Sequence, residues 1–488
     1  MSLFSAWRFA LPFLIGGSLL VASCKKTEDI NPVVTTTSAD TTNIAIDNWI
    51  LTNMQYYYLW NDKIPVTPDK TLTPDKFFLS LLYDRSNTTN IDRDRFSWIQ
   101  QSADELKASL SGQSKTTGIE YKLYYTDQAQ SAVIASIIYV VPNSPAAKAG
   151  IRRGDVISSV NGTALNGTNY STLLTGTSDS YTYGLATYTN GVLTNTGQTK
   201  QVTAVVLQED PVFLDSTYTI GGKTIGYLVY NQFIPGVYKT DGTTDATYDT
   251  KLDNIFGKFK QKGVTELVLD LRYNRGGYVS SSIVLSSLIG KNIDASKVYY
   301  TQKWNSKVTA DYDKKYGAGW NTKNFLTRAN SVGANVNRLF VLTTNSTASA
   351  SELVINGLKP FMTVTTIGTT TVGKNVGSIT VSDPNKIIKW GMQPITFKSA
   401  NALGFADYAG GFTPTVEVKE PTTGMKAFGD ITEPMLNEAI FQISGSRSGR
   451  RITTESAKVE QSVLGSSLDR KAGGGNMFID SMSPKGAY

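Results

Sequence analysis

The chain has 488 residues, 40% hydrophobic and 18% charged, with a net charge of +7, no histidine and one cysteine. That length calls for about two to four domains, and a mild charge without a dense Lys/Arg block argues against a nucleic-acid partner. The missing histidine excludes a Ser-His-Asp triad, and the lone cysteine excludes an intramolecular disulfide and a thiolate zinc site.

Arg8 precedes an apolar run over residues 9–22, too short to span a bilayer and suited to a signal-peptide core. It ends in Val21-Ala22-Ser23-Cys24, which resembles a bacterial lipobox. On that resemblance residues 1–24 are a lipoprotein signal peptide and Cys24 carries the lipid. An ordinary cleavage site beside a chance cysteine gives the same string. Lys25 stands where an aspartate would resemble an inner-membrane retention signal, so the expected location is the bacterial envelope, at either face of the outer membrane. Residues 25–45 are polar and Thr-rich and read as a flexible tether.

Residues 46–114 read as a helical N-terminal domain. Ile46, Trp49, Ile50, Met54, Tyr57 and Tyr58 form a helical stripe, and a second helix is expected in PDKFFLSLLYD, with Asp69 or Thr73 near its start. Residues 115–207 turn β-rich. Ser144-Pro145 opens a short helix, Gly150 closes it, Gly154-Asp155 leads into the strand VISSV, and Asn161-Gly162 makes a hairpin turn. This order resembles a PDZ domain, which takes an extended peptide as an added strand. Gly118-Ile119-Glu120-Tyr121 stands where the carboxylate-binding loop of that family would lie, or is a plain strand start.

Residues 208–445 alternate strand-like runs (TIGYLVY, ELVLDL, LFVLTT, TVTTIG) with helix-like ones. The expected fold is mixed α/β and multidomain: a helical cap, a PDZ domain, and an αβ core whose sheet is covered by helices. Residues 446–488, rich in Ser, Gly and charge, read as a mobile tail. Asp241 to Asp249 (DGTTDATYD) suits either a calcium loop or a polar turn, and the turn is preferred, so no metal is expected.

Three stretches carry possible chemistry. In NSTASASELVINGL, residues 345–358, serines crowd the junction of a buried strand and a helix. Backbone N–H groups and the positive helix end there favour negative charge on oxygen, but Ser349-Ala350-Ser351-Glu352 also fits a capping box. In LVLDLRYNRGGYV, residues 267–279, a strand ends at paired glycines, which suits either an oxyanion hole or a turn. In TTTVGKNVGS, residues 369–378, Lys374 has no acid close in sequence, and is either solvated or a desolvated base.

In this order, helical cap, PDZ, DLRxNxGG, SASE and GK, the chain resembles the carboxyl-terminal processing peptidases over residues 46–420. These tail-specific proteases are serine endopeptidases with a Ser-Lys dyad. The resemblance implies that Ser349 is the nucleophile and that Lys374, 25 residues later, is its base. It implies an oxyanion hole from the N–H of Ala350 and that of Gly276 or Gly277, with Gly276 slightly preferred. It implies polypeptide substrates and no cofactor, and leaves the oligomeric state unknown. Many relatives read GKGxxQ, the glutamine positioning the lysine; here Ser378 stands in its place as a candidate orienter of Lys374. Thr415 replaces the aspartate of the G-x-x-x-PD segment, which marks a divergent branch. Two rival classes keep part of the pattern: an inactive PDZ-containing peptide-binding lipoprotein, and a lipoprotein that binds apolar ligands.

Overall fold

The computed structural model describes residues 42–446 apart from 128 and 177, together with 463–471, 475, 477–479 and 482. Cys24, the signal peptide and nearly all of the tether therefore lie outside the described residues. The tether's last residues are helical: Thr42 accepts a hydrogen bond from the Ala45 N–H and caps the helix Asn43–Tyr57. That helix buries the predicted stripe against the main core, in which Trp49, Ile50, Met54 and Tyr57 are nearly or wholly inaccessible. Thr73 is the N-cap of the second helix, Pro74–Ser80, with proline at the first helical position. The N-terminal region is stitched into the rest by Trp98–Gln100, which pairs antiparallel with Gly391–Gln393. No helix among the described residues is long and apolar enough to cross a membrane.

The strands Ile119–Tyr125, Val133–Val140, Val156–Val160, Ser180–Thr189 and Val192–Thr203 form an antiparallel sheet in that order. Ser144 accepts from the Ala147 N–H and caps the short helix Pro145–Lys148, as its sequence predicts. Gly118 has φ of 92°, and a Cβ there would lie 2.1 Å from the Ser144 Cβ. Glycine is therefore required where this loop passes the helix start.

The core sheet runs Val212–Ile220, Lys223–Tyr230, Glu266–Asp270, Arg338–Thr343, Thr363–Gly368, Val416–Glu417. The first pair is an antiparallel hairpin and the others are parallel. Side chains alternate between two cores. Leu267, Leu269, Leu339 and Val341 meet the helices Thr247–Gln261, Val279–Ile289 and Ala350–Leu358, while Val268, Phe340 and Leu342 meet Pro434–Ser444.

A buried charge cluster joins the PDZ-like region to this core. Arg272 pairs with Asp270 and Glu433 at 2.8 Å and with Glu420 at 3.1 Å, and Glu420 pairs with Arg153 at 2.5 Å. The two guanidinium groups hold the Glu420 carboxyl far below the usual range, against its burial. Charges so buried are tolerable only when paired.

Two described stretches of the C-terminal region, where the sequence suggests a mobile tail, form strands. Val463–Ser466 pairs antiparallel with Ile119–Tyr125. Met477–Ile479 is a strand of a second sheet, ordered Gly277–Tyr278, Met477–Ile479, Val376–Ile379, Ile395–Asn401, Val298–Trp304, Thr322–Asn324. A composition rich in Ser and Gly resembles disorder, but here the backbone finds partners in two other regions of the chain.

Candidate active site

Ser349 sits between the strand Arg338–Thr343 and the helix Ala350–Leu358, with φ of 64° and ψ of −114°. A non-glycine residue in this region carries about 1–3 kcal/mol of strain and persists only where its surroundings over-determine it. They do so here. Ala348 donates its N–H to the Asn274 carbonyl at 3.1 Å, and Leu353 donates to the Ser349 carbonyl at 2.8 Å. The Ser349 N–H donates to the Glu352 carboxylate at 2.8 Å. The turn before it is pinned to the neighbouring strand end by Thr347, whose hydroxyl donates to the Leu271 carbonyl at 2.9 Å.

Such a strained strand-to-helix turn projects a nucleophile away from its own backbone. The Ser349 hydroxyl is fully buried and has no hydrogen-bond partner among the described residues. Ser349 and Glu352 hold the arrangement of a capping box, closed by the Ser349 N–H on the Glu352 carboxylate, while the hydroxyl itself makes no hydrogen bond among the described residues. Ser351, by contrast, donates its hydroxyl to the Asn274 carbonyl at 3.0 Å and is structural.

Lys374 is brought to the same place by Glu352. One oxygen of that carboxylate accepts the N–H groups of both Ser349 and Lys374, each at 2.8 Å. The two nitrogens thus lie no farther apart than twice that distance. The other oxygen accepts from the Thr371 hydroxyl at 2.5 Å and from the Gly373 N–H at 2.7 Å. Burial raises the Glu352 pKa, and these four donors work against the rise. From the N-terminal region, Arg95 donates to the Gly373 carbonyl at 2.8 Å and to the Ala409 carbonyl at 3.0 Å, bracing the loop from outside.

The Lys374 ammonium lies over the Phe96 ring, 4.6 Å from its centroid. Burial pushes its amine well below the ordinary lysine range. The negative charges of Asp94 and Glu352 oppose that shift, while Arg275 and Arg95 reinforce it. The sequence shows no acid near Lys374; the fold supplies two, and desolvation still prevails.

Other expected site residues fall differently. Ala350 opens the helix, buried beside Ser349. The Gly276 N–H donates to the Asn274 side-chain oxygen at 2.9 Å, so in this arrangement it is committed to the turn. That removes the preference for Gly276 over Gly277 as an oxyanion donor. Gly277 has φ of 134°, and a Cβ there would lie 2.1 Å from the Phe233 carbonyl oxygen. The Ser378 hydroxyl donates to the Met477 carbonyl at 3.3 Å, in the second sheet.

Gly118 turns the chain into the strand holding Ile119, Glu120 and Tyr121, but Glu120 faces a cation, Lys471, at 2.8 Å. Between that strand and Gly276–Gly277 lies a cavity of about 450 Å³, lined also by Leu174, Tyr183 and Arg275. In the segment 241–249, Asp241 and Asp245 accept nearby backbone N–H groups, as turn residues do. The residues missed at the sequence level are Glu352 in its clamping role, Asn274, Asp94 and Arg95.

The largely parallel core sheet carries a strained serine at its strand-to-helix turn and a buried lysine whose backbone is clamped to the same carboxylate. Residues 224–418 match the model described as peptidase family S41, residues 45–98 the peptidase S41 N-terminal domain, and residues 136–180 a PDZ domain. Among solved structures, the chain is similar to a Bacteroides fragilis NCTC 9343 protein assigned to the S41 proteases. The two share 29% identity with a TM-score of 0.66, over 81% of this chain and 97% of that one. It is similar to the chloroplastic C-terminal processing peptidase of Tetradesmus obliquus, 26% identical over 53% of this chain and 52% of the relative. It is also similar to the carboxyl-terminal-processing protease of Picosynechococcus sp., 23% identical over 56% of this chain and 57% of the relative. The chain thus spans about half the length of the curated relatives it matches.

Proposed function

We propose that the protein is a serine endopeptidase of the carboxyl-terminal processing type, acting on envelope or extracellular polypeptides through Ser349 and Lys374. The observation that carries this reading is the single Glu352 oxygen that accepts the N–H groups of both residues in a buried site. Lys374 takes the proton of the Ser349 hydroxyl as its Oγ attacks a peptide carbonyl. The proton then passes to the leaving amine, and an acyl-enzyme remains. Water, deprotonated by the same lysine, releases the second product and regenerates the serine. The Ala350 N–H and one from the Gly276-Gly277 turn face the developing oxyanion. Using Gly276 requires its N–H to leave Asn274.

The PDZ region presents the polypeptide, and the cavity joining its strand 119–125 to Gly276–Gly277 supports that role. A lipid on Cys24 tethers the enzyme to the outer membrane. A fluorophosphonate probe is expected to label the folded protein at Ser349 and to leave the Ser349→Ala variant unlabelled. Absence of labelling in the folded parent would leave the inactive peptide-binding lipoprotein as the better reading.

A further inference from the structure

The two described stretches at the C terminus lie along one track. The first, Val463–Ser466, covers the free edge of the strand Ile119–Tyr125, whose other edge is taken by Val133–Val140. The pairing is antiparallel, Val463 opposite Tyr124 and Ser466 opposite Lys122, so the segment runs toward Gly118. An extended ligand adds to such an edge by main-chain hydrogen bonds. The chain then continues past the edge instead of ending there. The Tyr121 N–H donates to the Ser467 hydroxyl at 2.9 Å, and that hydroxyl donates to Glu120 at 2.5 Å. Lys471 pairs with Glu120 and with Glu209, each at 2.8 Å. Asp469 reaches the candidate oxyanion turn itself, pairing with Arg275 at 2.9 Å.

The second stretch, Met477–Ile479, lies between Gly277–Tyr278 and Val376–Ile379, parallel to both. One flank is the glycine turn, and the other begins two residues after Lys374. Met477 stands opposite Gly277, and the Phe478 ring meets Tyr278 edge-on with centroids 4.3 Å apart. Met477 and Phe478 are both buried. Among the described residues of the second sheet, this strand alone links Gly277–Tyr278 to the rest.

We infer that residues 463–471 and 477–479 are an intramolecular ligand that follows the path of a polypeptide substrate, PDZ edge first and catalytic cleft second, and competes with it. The meaning of the cleft rests on the peptidase reading; the docking of the segment does not. The segment also describes the substrates it displaces. They carry an extended stretch for the PDZ edge, then a basic residue for Glu120 and Glu209, then a short apolar strand for the slot beside Gly277. The groove takes an internal segment, with Glu120 and Glu209 matched to a cation and Arg275 matched to an acid such as Asp469.

The test uses the full chain with Lys471→Glu, which sets an acid against Glu120 and Glu209, or with Phe478→Asp, which sets one against Tyr278. In a Ser349→Ala background, a fluorescent peptide spanning residues 463–482 is titrated by anisotropy. Both variants should bind it about tenfold more tightly than the otherwise unaltered chain, because the resident segment no longer fills the track. With Ser349 present, both should hydrolyse a short peptide faster, and added 463–482 peptide should raise KM with kcat unchanged. Should Lys471→Glu fail to fold by circular dichroism, Phe478→Asp decides alone. Unchanged peptide affinity in the folded variants overturns the inference. Tighter peptide binding with no hydrolysis by any variant upholds it and overturns the peptidase reading.

Discussion

Lys374 does two things that compete at the level of one side chain. Its backbone is anchored by a carboxylate, while its amine is kept from water over the Phe96 ring. An ordinary lysine titrates near ~10.4 and would be almost wholly charged at neutral pH; burial brings this one well below that range, which suits a general base. Hydrolysis of a short peptide should therefore rise with pH along a single limb, with an apparent pKa below that of free lysine. Lys374→Arg should be inactive though folded, because guanidinium does not give up its proton. Near-parental turnover by folded Lys374→Arg would sink the Ser-Lys mechanism. The sign of the stability effect follows from the same shift. Between the lowered folded value and the unfolded one, the unfolded chain binds the extra proton, so this group makes stability rise with pH. Lys374→Met should lose that rise in a denaturation series across alkaline pH.

At the scale of elements, Gly118 is where the PDZ region is most constrained, by a positive φ and by the Ser144 side chain. Gly118→Val should displace the entry to the strand 119–125 without touching Ser349 or Lys374. Its kcat/KM on a long unfolded polypeptide is expected to fall about tenfold, while a short chromogenic peptide is turned over within about twofold of the parent rate. Equal losses on both substrates would mean that the domain only supports the core.

What was legible in the sequence divides along the same line. The strand, turn and helix around Ser349 are local, and so are the SP-helix and the NG turn of the PDZ region; short-range patterns encode them. Glu352 reads locally as a cap, because its second set of partners, Thr371 to Lys374, lies 19 to 22 residues away. Arg95 reaches the lysine loop across 278 residues, and no pattern in its own neighbourhood records that contact. The C-terminal strands were missed for a related reason. Glycine, serine and charge weaken every local signal, and the order comes from edges supplied by distant strands.

At the scale of the whole molecule, the described residues form a body whose N-terminal helix is packed into the same core as the peptidase-like sheet. The proposed membrane attachment therefore rests on Cys24 and the tether ahead of Thr42. Stable anchoring takes more than one acyl chain, as bacterial lipoprotein modification supplies. Cys24→Ala should move the protein from the membrane to the soluble fraction with its peptidase activity retained. Continued membrane association of that variant would count against the lipid anchor.

The hydrogen bond from the Ser466 hydroxyl to the Tyr121 carbonyl joins residues 345 positions apart. Chains fold from the N terminus as they are made, so the strand 119–125 and its neighbours can form long before residues 463–466 exist. For that interval the sheet has a bare edge, the kind of surface that recruits strands from other chains. Timing thus becomes a property of this topology. The edge is closed by a segment made long after it, and in a crowded refolding mixture residues 463–466 of one copy can close the edge of another before its own do.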